Sequence, residues 1–453
     1  MDIHKFVVNG EFILLDVNSG SVHLLDQAAY RIMDVFDGAN DAAVVGAFAD
    51  EFGEATVQEM LAELHGLMAR GQLFTPDAEV PPVFSAKPIV KSLCLHIAHD
   101  CNLRCGYCFA STGSFGQDRG LMTPEVACRA VDFLLEHGGS RKHAEIDFFG
   151  GEPLLNMATV RAAVEHIRRR EAETGKLFNL TLTTNAVLLN QEILDFLNRE
   201  NIQLILSIDG RREVHDRMRP FAGGAGSYDT VLANMRKAVD SRQGQNYYAR
   251  GTYTGYNLDF AADVLALADE GFGRLSVEPV VAKDAPYGLC EDHLPRLFEQ
   301  YDLLAAEYLR RHSEGCGFDF FHFNVDLDNG PCLTKRLSGC GAGHEYYAVT
   351  PQGDLYPCHQ FVGRDEFRVG TVFAGIDKPE LCHEFRQAHV LTKSECRHCW
   401  ARFYCSGGCH ANAEAFHGSI HQPYELGCEL QKKRLECAIA VQIGLKRSAA
   451  GKK

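Results

Sequence analysis

The sequence contains no run of about 18 apolar residues, so it offers no membrane-spanning helix. Its opening, Met1-Asp-Ile-His-Lys-Phe6, lacks the basic and apolar regions of a secretory signal. A cytoplasmic protein without membrane contact is expected. Positive charge is not in excess either: net charge is −15. That argues against nucleic acid as a main partner, because phosphate binding needs a basic face. A basic peptide remains a compatible partner. Long internal repeats and low-complexity tracts are also missing. What is left is 453 residues, 46% hydrophobic and 23% charged. This is a globular composition with room for about two to four domains.

Cysteine is the residue in excess. There are 17, and eight of them fall between Cys340 and Cys428 inclusive. Disulfides are rare in a reducing compartment, where clustered cysteines more often bind metal.

Residues 1–78 read as a small separate unit. The stretch 6–16 forms two strands around an Asn9-Gly10 turn, a strong hairpin signal. A third strand is expected at Val22–Leu25, followed by two or three helices, including 27–36 and 56–70. Strands followed by a helical group suggest a winged-helix-like module. Its helical part carries Asp34, Asp37, Asp50, Glu51, Glu54, Glu59 and Glu63, which is unlike a DNA-binding wing. Four prolines from Pro76 to Pro88 mark a linker at about 79–90.

From 91 to 312 strand-like and helical runs alternate. Strands are expected at 92–98, 145–149, 180–184, 204–208, 247–254 and 275–281. Helices are expected at 124–137, 158–174, 191–200, 228–241, 260–269 and 293–311. Six such units predict a parallel α/β sheet curved into a partial (β/α)6 barrel. Chemistry then belongs at the C-terminal strand ends. Residues 313–440 carry weaker periodicity and many cysteines, and 441–453 is expected to be a disordered tail.

The run Cys101-Asn-Leu-Arg-Cys105-Gly-Tyr-Cys108 begins just after the first of these strands. A 4Fe–4S cluster has four irons, commonly held by four thiolates, so three close cysteines leave one iron open. Phe148-Phe-Gly-Gly-Glu152-Pro153 ends a second strand, and Ser207-Ile-Asp-Gly210 a fourth. This set resembles radical S-adenosylmethionine (SAM) enzymes. The resemblance implies that Cys101, Cys105 and Cys108 hold the cluster and SAM takes the open iron. It further implies that Tyr107 packs near the adenine and that Gly150, Gly151 and Glu152 take the methionine amino group. Ser207 is the favoured ribose or carboxylate contact, with Asn185, Arg219 and Arg250 as weaker candidates.

A second array follows: Cys340-x17-Cys358, Cys396-x2-Cys399-x5-Cys405-x3-Cys409, and Cys428. It resembles the SPASM extension of radical SAM enzymes, which holds two auxiliary 4Fe–4S clusters. The family pattern assigns Cys396, Cys399, Cys405 and Cys428 to one cluster and Cys340, Cys358 and Cys409 to the other. Cys332 or a substrate thiolate could complete the latter. Paired zinc sites are the alternative reading, since Cys-x2-Cys is also a zinc signature. Cys94, Cys128, Cys290, Cys316, Cys382 and Cys437 read as buried small hydrophobes, and His359 and His410 as donors beside ligand cysteines.

The whole chain resembles maturases of ribosomally made peptides, in which a leader peptide adds a strand to an N-terminal sheet edge. Segments 14–23, 94–101 and 339–362 are similar to the thioether-forming maturases of SCIFF peptides, named for six cysteines in forty-five residues. That resemblance implies three 4Fe–4S clusters, SAM and a low-potential electron donor such as flavodoxin or ferredoxin. It also implies a cysteine-to-carbon cross-link, usually to threonine, in a short cysteine-rich precursor. Alternatives are another SPASM reaction, such as formylglycine formation or a carbon–carbon peptide cross-link, and more remotely a non-enzymatic zinc or iron–sulfur protein.

Overall fold

The computed structural model describes residues 2–77, 89–328 and 336–450. Most of the proline-rich linker, and Cys332, lie outside the described residues. The N-terminal unit is an antiparallel sheet of β1 (Ile3–Val8), β2 (Glu11–Asp16) and β3 (Val22–Leu25), in that order. It is followed by α1 (Gln27–Ile32), α2 (Asp41–Phe52) and α3 (Glu54–Ala69). Strand periodicity splits β2 between two cores. Leu14 packs with Ile32, Val44 and Leu61 of the helices, whereas Ile13 and Leu15 join the core of the main body.

The main sheet has eleven strands and two free edges. Its parallel part contains the six expected strands: β4 (Ser92–Ala98), β5 (His143–Gly150), β6 (Leu177–Thr184), β7 (Gln203–Ser207), β8 (Tyr247–Tyr253) and β9 (Arg274–Pro279). Each pairs in parallel with the next. A seventh strand of two residues, β10 (Asp319–Phe320), extends that edge. Connecting helices follow the expected positions: α4 (Pro124–His137), α5 (Met157–Thr174), α6 (Gln191–Arg199), α8 (Tyr228–Ser241), α9 (Phe260–Asp269) and α10 (Leu294–Ser313). Local chemistry sets several starts. Thr123 caps α4 by accepting from the Val126 amide at 3.3 Å, with Pro124 at the first helical position. Asn190 caps α6 by accepting from the Ile193 amide at 2.9 Å. A short helix, α7 (Arg212–Met218), was not expected.

The C-terminal third is less separate than its weak periodicity suggests. Strand β11 (Tyr346–Val349) pairs in parallel with β4, placing Ala348 opposite Cys94. Then β12 (Asp354–Tyr356), β13 (Gly370–Thr371) and β14 (Gly375–Ile376) continue the sheet antiparallel. Strand β4 is thus central and buried along its whole length, as a strand covered on both faces must be.

The expected disordered tail is corrected by the structure. A helix runs from Glu425 to Ala450. It buries Ile439, Ala440 and Val441, and Gly444 lies close against Leu309 of α10. Burial of this apolar stripe, at about 1.5–3 kcal/mol for each large side chain, outweighs the basic composition of the last residues. Among the described residues no helix is long and apolar enough to cross a membrane.

Candidate functional site

The triad loop leaves the C-terminal end of β4 and lies across the ends of β5, β6 and β7. Two glycines permit this. Gly150 has φ +129°, and a Cβ there would sit 2.4 Å from the Ala98 carbonyl oxygen. A Cβ on Gly151 would sit 2.1 Å from that of Asp100. The backbones instead bond directly: Gly151 N–H donates to Ala98 O and Glu152 N–H to Asp100 O, each at 2.8 Å. Only residues without a side chain allow this approach.

The loop and the strand ends enclose a cavity of about 150 Å³, lined by Cys101, Cys105, Cys108, Tyr107, Gly150, Gly151, Thr183, Asn185, Ser207 and Arg219, among others. All three triad cysteines and Ser207 therefore share one cavity, as expected. The Tyr107 hydroxyl donates to Asp209 at 2.8 and 2.7 Å and accepts from Arg219 Nη1 at 2.8 Å. Arg219, a weaker expectation, is thus part of the wall. Asp209 was not singled out at all, although it stands two residues after Ser207. Asn185 donates to Cys101 Sγ at 3.6 Å and to Asn102 Oδ1 at 2.7 Å.

Glu152 departs from expectation. It is fully buried and absent from the cavity wall. Its carboxylate accepts from Thr184 Oγ1 at 2.7 Å, from the Asn185 amide at 2.8 Å and from the Leu154 amide at 3.1 Å. Burial raises its pKa to about 7 against these hydrogen bonds. In this structure Glu152 clasps the end of β5 to the end of β6, and that set of bonds stands where a contact to a methionine amino group was expected. Arg250 is also outside the cavity wall; it lies on β8, with Glu278 at 4.0 Å.

The second array gathers in one region, where Cys340, Cys405, Cys409 and Cys428, members of both expected sets, line one cavity. Cys428 is within electrostatic range of Cys405, Cys396 and Cys399, which together with burial push its thiol up to about 12. These four line a cavity of about 380 Å³. Cys358 is raised by burial and by its neighbours Cys409 and Cys340. Cys340 and Cys409 face a larger cavity of about 430 Å³. It lies against the end of β9, where Glu278, Pro279 and Val280 also line it. Cys358 and Cys108 both pack against an apolar cluster that contains Cys94.

The remaining cysteines divide. Cys94, Cys382 and Cys437 are buried as expected, Cys128 is half-buried, but Cys290 and Cys316 are exposed. His359 bonds to the Tyr346 hydroxyl through Nδ1 at 3.1 Å, and burial lowers its pKa to about 4. His410 is buried with neither ring nitrogen hydrogen-bonded.

The donor chemistry fits iron–sulfur clusters. Burial and neighbouring thiols raise Cys101 to about 12 and Cys396 to about 11. Thiolates this crowded and desolvated require a strongly cationic partner. Among the described residues no three His, Cys, Asp or Glu side chains meet closely enough to hold a single metal ion. The thiols instead stand around cavities.

Residues 95–265 match the model of the radical SAM superfamily, and the chain carries a radical SAM domain there. It is homologous to maturases of the SPASM type. A cysteine-type anaerobic sulfatase-maturating enzyme of Clostridium novyi is 22% identical over 72% of this chain and 90% of its own. The fold is shared with native anSMEcpe bound to AdoMet and the Cp18Cys peptide, at TM-score 0.66 and 20% identity, over 79% of this chain and 99% of that one. It is shared also with Streptococcus suis SuiB bound to S-adenosylmethionine, at TM-score 0.52 and 16% identity, over 94% and 98%.

Proposed function

We propose that the protein is a peptide maturase that installs cysteine-to-carbon thioether cross-links, with threonine as acceptor, in a short cysteine-rich precursor. The observation that carries this reading is the mutual proximity of Cys340, Cys358 and Cys409, with Cys358 packed against the same apolar cluster as Cys108 of the triad. A three-thiol set leaves a position for a substrate's own sulfur.

Cys101, Cys105 and Cys108 would hold the SAM-binding 4Fe–4S cluster. Cys396, Cys399, Cys405 and Cys428 would hold a fully ligated auxiliary cluster, and Cys340, Cys358 and Cys409 the other. With SAM bound at the Cys101, Cys105 and Cys108 cluster and an electron from flavodoxin or ferredoxin, that cofactor pair would supply hydrogen-abstracting radical chemistry, and the two auxiliary clusters would supply a route for an electron to leave.

The chain's own residues bind and orient. Tyr107, Asp209 and Arg219 fix the triad loop, and Gly150, Gly151 and Ser207 shape the SAM cavity. In the N-terminal unit, β3 is an edge strand of a three-stranded sheet. It offers unpaired backbone groups to which a leader peptide can add a strand. The acidic helices beside it favour a lysine-bearing leader. The similar proteins support a peptide substrate: SuiB has been seen bound to precursor peptide SuiA, and anSMEcpe to the Cp18Cys peptide.

The test is co-expression with a short cysteine-rich precursor peptide. Mass spectrometry is expected to show loss of two hydrogens per cross-link. A peptide of unchanged mass, with SAM cleaved and all clusters present, would overturn the reading. Loss of the cysteine sulfur would indicate formylglycine formation instead.

A further inference from the structure

One deeply placed carboxyl takes no part in the cavity wall. Asp147 lies in the middle of β5, two residues before Phe149, on the concave side of the sheet. Neighbours from several strands face it. From β4, Cys94 Sγ stands 3.9 Å from Oδ2. From β6, Thr183 donates to Oδ1 at 3.4 Å, and Thr181 also bonds to it. From β8, Arg250 approaches without a direct bond, and from β11 Tyr346 lies within electrostatic range. Among the described residues no cation bonds directly to the carboxyl: the nearby Arg250, whose charge only partly offsets the burial, pairs with Glu278 and keeps half its side chain exposed.

Asp147 retains accessible surface despite its depth. Its strand neighbours Ile146 and Phe148 turn into the main core, so that surface lies on the other face of the strand, the face of Phe149 and the SAM cavity. Two of its partners connect it to the reaction site. Thr183 lines the SAM cavity, and Cys94 packs in one cluster with Cys108 and Cys358. Through Thr183 the carboxyl adjoins the SAM cavity, and through Cys94, which lies within electrostatic range of Cys358, it adjoins the three-thiol set. Burial also lifts it to about 7, close to an ordinary thiol at about 8.5. A proton acceptor works best when its affinity is close to that of the group it serves.

We infer that Asp147 accepts the proton of the substrate's cysteine thiol. The S–H bond breaks heterolytically, the proton goes to an Asp147 carboxylate oxygen, and the electron pair stays on sulfur as thiolate. No oxidant enters this step. The inference rests on the thioether reading above, and it supplies the thiolate that reading needs.

The test compares wild type, Asp147→Asn and Asp147→Glu in the full-length, cluster-loaded protein with SAM and the peptide. Asp147→Asn is expected to keep forming 5′-deoxyadenosine while cross-linked peptide falls about 100-fold at neutral pH. Raising the pH past about 8.5 should recover part of the loss, because the thiol then ionises unaided. Asp147→Glu should keep part of the activity. Difference infrared spectroscopy should show a carboxyl titrating near 7 in wild type and missing in Asp147→Asn, independently of turnover. Wild-type cross-linking and pH profile in Asp147→Asn would overturn the inference. So would joint loss of SAM cleavage and cross-linking in both variants at every pH, which marks a structural role. A wild type that cleaves SAM but never cross-links overturns the function itself, and the inference with it.

Discussion

The Tyr107 hydroxyl donates to both carboxylate oxygens of Asp209, at 2.8 and 2.7 Å, across the gap between the triad loop and the end of β7. This bond fixes the loop from the side opposite the two glycines. Asp209 is buried, with Thr252 N–H at 3.1 Å and Arg219 at 3.9 Å as its other partners. Tyr107→Phe keeps the ring and removes the tie. It should cost about 1–3 kcal/mol, the price of a buried hydrogen bond to a charged group. Denaturant unfolding should show the loss, and SAM affinity should weaken in parallel.

Gly151→Ala tests the close approach of β5 to the triad loop. The added carbon would meet the Asp100 carbonyl oxygen at 2.1 Å, a backbone contact that cannot swing aside. The loop must shift. Iron bound by the triad should be lost while the two C-terminal sets keep theirs. Iron analysis with electron paramagnetic resonance separates these outcomes. Full triad occupancy in the variant would contradict the packing argument.

Arg402 tests how the N-terminal unit is anchored. Its side chain is 1% exposed, and Nη2 donates to Asp2 and to Asn18 Oδ1, each at 2.7 Å. Nearby, His4 stacks on Trp400 with ring centroids 3.7 Å apart. Arg402→Ala should destabilise this junction by about 2 kcal/mol, discounted because Asp2 is 40% exposed. Leader-peptide binding should weaken more than SAM binding.

Asp147 also predicts a pH dependence of stability. Its folded pKa of about 7 lies above the ordinary 3.8, so the folded state holds the proton more tightly than the unfolded chain. Its stabilising contribution is complete below about 4 and is lost as pH rises through about 7. Wild type should therefore lose stability between pH 5 and 8 relative to Asp147→Asn. Paired denaturation curves at the two pH values measure this. Parallel pH dependence in both proteins would remove Asp147 as the source.

Sequence spacing alone determined a good deal. The Cys-x3-Cys-x2-Cys run, the two later cysteine groups, and six strand–helix units at 92–313 were legible because each pattern is local. Strand and helix periods repeat over a few residues, and short cysteine spacings confine thiols to one loop. Tyr107, Gly150, Gly151 and Ser207 were legible for the same reason, each standing at a strand end or within the loop itself. The tail was misread because its last residues are basic, while the stripe through Ile439 and Val441 is satisfied only by packing against α10.

Tertiary structure decided what depends on distant partners. It set β11 beside β4, which brings Cys358 within electrostatic range of Cys94. It turned Glu152 away from the cavity and into a clasp between β5 and β6, because three donors converge there from different segments. It made Arg219 part of the wall, tied Asp209 to Tyr107 beside it, and set Asp147 against Cys94 and Thr183. No local pattern encodes these placements. Sheet register and burial fix them, and both emerge only when strands far apart in sequence pair.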